Sequence, residues 1–120
     1  MKLMVFILNR TERLEMLLEG FSNAGVGGAT IIDSAGLAQT LNSLDSSLLT
    51  STVRELLGSS GSDGNKTILS AIRDDQLETV RKVIYAAVGD LSLPNTGILL
   101  TIPIDFAEGL PIPTQPKENK

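Results

Sequence analysis

The sequence predicts an α+β fold in which one β-α-β unit is used twice. Three observations carry this expectation. A continuous apolar run of strand length, Leu3-Met4-Val5-Phe6-Ile7-Leu8, opens the chain, and a second strand-like run spans residues 67–72. Each run is followed by apolar residues at helical spacing, and glycine stands where each helical stripe stops. At 120 residues one domain is expected, large enough to bury a core without metal or disulfide. Two β-α-β units joined end to end give the order βαββαβ, a ferredoxin-like sandwich with both helices on one sheet face.

The elements follow in order. Residues 2–9 read as a strand buried on both faces, rich in β-formers and closed by polar residues. Asn9 is placed to cap the next helix, with Glu12 three residues on in capping-box position. Leu14, Leu17, Leu18 and Phe21 make the stripe of that helix, and Gly25 is placed to end it. After the Gly27-Gly28 turn, residues 29–33 form a short second strand. The third strand spans 67–72, and Asp75 with Glu78 offers another capping box. Leu77, Val80, Val83, Ile84, Ala87 and Val88 give the second helical stripe, ended by Gly89-Asp90. Residues 97–104 are the last strand, where Pro103 cannot donate to a ladder and so marks an edge or an end. The domain is expected over residues 1–110, with a Pro- and charge-rich tail over 111–120 expected to be mobile.

The halves are separated by an insertion over residues 35–65, far longer than a hairpin turn. Within it Leu49, Val53, Leu56 and Leu57 recur at helical spacing after Ser46, which predicts an ordered helix over 46–57. Residues 59–64, Ser-Ser-Gly-Ser-Asp-Gly, read as a linker and carry no Gly-Lys-Ser/Thr phosphate-loop signature.

Strand 1 bears on assembly. Leu3, Val5 and Ile7 share one face, and Met4, Phe6 and Leu8 the other. Two helices cover one face only. The row Met4, Phe6 and Leu8 is assigned to an inter-subunit core, with coverage by the insertion helix as the alternative.

Composition removes several functions. The chain has no Cys and no His, which excludes thiol nucleophiles, His- or Cys-built zinc sites and Ser-His-Asp triads. Its net charge of −4 and four aromatic residues argue against a nucleic-acid surface. The longest apolar run is too short to span a bilayer, so no membrane insertion is expected and the cytoplasm is the default location. No group of residues is arranged as nucleophile plus base, and no enzyme or metal site is expected.

The candidate site residues are backbone-presenting. Gly36 with Gln39 could offer N–H groups and an amide to a ligand, or simply make a strand exit. Asn95-Thr96-Gly97 could form an anion-binding nest, or a plain turn before a strand. Asp74-Asp75 could be a working carboxylate pair, although capping of the second helix accounts for both. Asp33 and Asp105 sit at strand ends and could meet across the sheet.

These residues together resemble the P-II-like (nitrogen regulatory protein P-II) superfamily. The resemblance is carried by Met1-Lys2-Leu3-Met4-Val5, by Ala24-Gly25-Val26-Gly27-Gly28-Ala29-Thr30, and by Gly36-Leu37-Ala38-Gln39. It continues in Arg73-Asp74-Asp75-Gln76 and in Thr96-Gly97-Ile98-Leu99, and covers residues 1 to about 110. It is closest to variants in which a helix replaces the long flexible loop. The resemblance implies a homotrimer of ferredoxin-like subunits that acts in signalling through a regulated protein partner. It also implies a ligand, an adenine nucleotide or small anionic effector, in the cleft between subunits. Carried over by position, the ligand-binding residues are Thr30, Gly36, Ala38, Gln39, Asn95, Thr96 and Gly97. The family's phosphate-gripping Lys falls on Ile98, and its later basic residues fall near Gly109 and Pro111, so the cations for a triphosphate are missing. Tyr85 lies in the second helix and does not match the family's modified loop tyrosine. Two other readings stand beside this one: a structural trimer without ligand, and an ion-related protein of the CutA type.

Overall fold

The structure, a computed structural model, describes residues 1–37 and 64–110. Among the described residues four strands and two α-helices appear in the expected order: β1 (Lys2–Leu8), α1 (Leu14–Asn23), β2 (Thr30–Ser34), β3 (Asn65–Ile72), α2 (Leu77–Val88) and β4 (Gly97–Pro103). The helix expected over 46–57 and the tail over 111–120 lie outside the described residues.

The strands form one antiparallel sheet in the order β2-β3-β1-β4. Both β1 and β2 pair antiparallel with β3, so they run parallel with β3 between them. Likewise β3 and β4 flank β1. Each β-α-β unit is thus split by a strand of the other, an α+β arrangement compatible with a ferredoxin-like sandwich. Pro103 is the last residue of edge strand β4, where its missing N–H leaves no gap in the ladder.

Both helices bury their stripes in one core. Leu17 and Phe21 of α1 meet Val80, Ile84, Ala87 and Val88 of α2 over the sheet. Gly25 and Gly89 follow the two helices with φ of 86° and 104°, a backbone region that a side chain resists.

The face of β1 turned to that core is the opposite of the one expected. Met4, Phe6 and Leu8 are 0% exposed and pack under the helices, so they are not the inter-subunit row. Both rows of β1 are apolar, and alternation alone cannot say which one meets the helices. The larger set, with Phe6 and Met4, fills the helix–sheet layer together with Ile68 and Ile72 of β3. The uncovered row is Leu3, Val5 and Ile7. In register beside it lie Ile102, Leu100 and Ile98 on one side, and Ala71, Leu69 and Thr67 on the other. Ile98, Leu100 and Ile102 are each 50% exposed. None of these nine side chains is charged.

The helix starts also differ from expectation. Asn9 and Glu12 form no capping box, and neither Arg10 nor Arg13 makes a side-chain cap. At the second helix the cap is made by Gln76, whose Oε1 accepts the Arg73 backbone N–H at 2.8 Å. Asp75 instead bonds Arg73 Nε at 3.0 Å, and Glu78 bonds Arg81 at 2.9 Å.

Candidate functional site

Antiparallel pairing brings four chain segments to one end of the sheet. There β1 and β2 finish, at Leu8 and Ser34, while β3 and β4 begin, at Asn65 and Gly97. The residues just beyond these ends surround a cleft of about 300 Å³, with Ile7, Asn9, Gly36, Asn65, Asn95 and Ile98 among its walls. The two ends of the insertion therefore leave and re-enter the fold beside it.

A chain of hydrogen bonds crosses the cleft floor. Ser34 Oγ lies 2.8 Å from Thr67 Oγ1 and donates to Asn65 Oδ1 at 2.5 Å. Asn65 Nδ2 donates to Asn9 Oδ1 at 3.2 Å, and the Asn9 backbone N–H donates to the Thr96 carbonyl at 3.2 Å. Asn65 is only 6% exposed, so its carboxamide depends on these partners. Asn9, which sequence proximity assigned to a helix start, is held instead by a residue 56 positions away.

The expected ligand residues divide. Gly36 and Asn95 line the same cleft, and Asn95 takes φ of 60°, a left-handed conformation that Asn tolerates better than most residues. Thr96 is 2% exposed, its hydroxyl donates to the Pro94 carbonyl at 3.3 Å, and it is not part of the cleft wall. Gly97 has a packing reason of its own. A Cβ there would stand 2.8 Å from the Ile7 carbonyl oxygen and 2.9 Å from the Phe6 ring. Thr30 begins β2 at the other end of the sheet, where it borders a groove of about 280 Å³ beside Gly27 and Gly28. Ala38 and Gln39 lie outside the described residues. Asn9, Ser34, Asn65 and Thr67 were not anticipated as a group. The available signal was four hydrogen-bonding side chains at strand ends that the βαββαβ order gathers at one sheet end.

Electrostatics at the cleft are neutral. No charged side chain lines it among the described residues. Asp33 pairs with Lys66 across β2 and β3, but their register puts both on the helix-facing side of the sheet. Asp105 follows β4 at the opposite end from Asp33, so the two do not meet. Asp74 is taken up by the Met1 amino group at 3.3 Å and by Lys2 at 4.0 Å. With Asp75 on Arg73, the pair does not act as two carboxylates converging on one point. A larger groove of about 450 Å³ runs beside α2 past Arg81, Lys82 and Tyr85, and none of the candidate ligand residues lines it.

No helix among the described residues is long and apolar enough to cross a membrane. The sequence matches no protein-family model and no curated protein.

Proposed function

We propose that the chain is a non-enzymatic, P-II-like regulatory protein that senses a small molecule in the cleft at the end of its sheet. It works as a homotrimer and passes the signal to a protein partner through the insertion between β2 and β3. The observation that carries this reading is the convergence of Gly36, Asn95 and the Asn65 hydrogen-bond chain where that insertion leaves and rejoins the fold. A ligand seated there touches both ends of the inserted segment at once.

The open sheet face supports the trimer. An antiparallel sheet face in contact with water ordinarily alternates to polar residues. Here Leu3, Val5 and Ile7 with Ile98, Leu100 and Ile102 form an apolar field that second and third copies would bury. Ile7, Thr67 and Ile98 belong both to this face and to the cleft wall, so a neighbouring copy also borders the ligand.

The neutral lining ranks ligands. Each missing charge-assisted hydrogen bond withholds about 1.5–3 kcal/mol from a phosphate. A nucleoside, monophosphate or uncharged metabolite is therefore bound in preference to ATP. The test is thermal stabilisation by adenosine, AMP and ATP, since a ligand at a hundred times its Kd adds about 2.7 kcal/mol. Wild type gains several degrees with the favoured ligand and Gly36→Trp does not. Tight, magnesium-independent ATP binding that survives Gly36→Trp overturns both the site and the ranking.

A further inference from the structure

We infer that Asn9, Ser34, Asn65 and Thr67 form a recognition element for an uncharged ligand carrying a hydrogen-bond donor and an acceptor side by side. The ligand is a lactam or a primary carboxamide. This rests on the sensing role proposed for the cleft and names the chemistry that the cleft selects.

The direction of the hydrogen-bond chain is set by proton count. Ser34 has one hydroxyl proton and two acceptors in reach, Asn65 Oδ1 at 2.5 Å and the Asn65 carbonyl at 3.3 Å, and gives it to the nearer Oδ1. Thr67 must then donate its own proton to Ser34 Oγ, 2.8 Å away. Asn65 in turn donates from Nδ2 to Asn9 Oδ1. The chain therefore runs one way, from Thr67 through Ser34 and Asn65 to Asn9. Its two ends carry opposite hydrogen-bonding character. Among the described residues the Asn9 Nδ2 group has no acceptor, and the Thr67 oxygen keeps a free lone pair. All four side chains line the cleft. Asn9 thus presents a donor and Thr67 an acceptor.

The row beneath is apolar. Ile7 lies opposite both Thr67 and Ile98 in the sheet register, so the polar chain borders an isoleucine wall. A flat ligand body rests on that wall, with its acceptor on Asn9 and its donor on Thr67. A carboxylate or phosphate meets no cation here and faces the Thr67 lone pair, which repels it.

The experiment follows the side-chain amide NMR signals of the full chain during titration. Uracil is the nucleobase lactam, nicotinamide the primary carboxamide, and ATP and glutamate are the charged controls. Uracil or nicotinamide shifts the Asn9 and Asn65 signals; whichever binds more tightly identifies the source of the shared edge. Thr67→Val, which keeps shape and strand propensity, and Asn9→Asp, which exchanges donors for a charge, each weaken that binding by about tenfold with unchanged circular dichroism. If Asn9→Asp does not fold, Thr67→Val decides alone. Binding that depends on Gly36 but is indifferent to Thr67→Val overturns this inference and leaves the sensing role standing. Stronger shifts with ATP or glutamate also overturn it. Failure of all four probes to bind, with no thermal stabilisation by adenosine or AMP, removes both.

Discussion

Gly20 of α1 lies so close to Val83 of α2 that a Cβ on Gly20 would stand 2.8 Å from Val83 Cγ1. This contact brings the two helices together over the sheet. Val is stiff at χ1 in a helix, so it cannot simply swing aside. Gly20→Ala gains roughly 1 kcal/mol of helix propensity but incurs about 1–3 kcal/mol of overpacking. Urea unfolding is expected to show a net loss of up to about 2 kcal/mol. Adding Val83→Ala relieves the clash, so the double variant is more stable than the two single losses summed. Strict additivity would contradict the contact.

The two rows of β1 make opposite predictions. Val5→Lys places a charge on the open face and is expected to give a folded single chain, with helical circular dichroism kept and mass reduced. Phe6→Lys places it in a site with no exposure beneath the helices, where it costs more than about 3 kcal/mol and unfolds the chain. Sedimentation and circular dichroism on both variants check this. A folded Phe6→Lys monomer would restore the discarded face assignment.

Much of the fold was legible because its signals are local. Stripes such as Leu14, Leu17 and Phe21, or Val80, Ile84 and Val88, need only helical geometry to be read. The face of β1 was not legible, since Leu3, Val5 and Ile7 are as apolar as Met4, Phe6 and Leu8. Choosing between them requires knowing which row the helices reach. The site was legible in part for the same reason. Gly36 and Asn95 stand out in their own turns, whereas Asn9 acquires its role only through Asn65, far along the chain. Gly97, read as a ligand contact, is required first by the Ile7 carbonyl and the Phe6 ring.

Asp90 supplies a pH-dependent signature. Its carboxylate accepts the Ser92 backbone N–H at 2.9 Å and the Ser92 hydroxyl at 2.8 Å. These bonds, the backbone one first, hold its pKa below the ordinary value of 3.8. A carboxyl lowered in the folded state contributes stability that is full above 3.8 and is lost as pH falls through the lower folded value. A carboxyl-carbon NMR titration is expected to place the Asp90 midpoint below 3.8. In Ser92→Ala, where the backbone bond remains, the midpoint moves part of the way back. A midpoint at or above 3.8 in wild type contradicts the turn geometry.

The sensing role proposed here depends on neighbouring copies covering the open sheet face, because Ile7, Thr67 and Ile98 serve that face and the cleft together. Multi-angle light scattering at micromolar concentration tests this most directly. The expected particle has a mass about three times the 12.7 kDa of one chain, and Val5→Lys reduces it to one. A wild-type particle of a single chain, stable on dilution and concentration alike, contradicts the account.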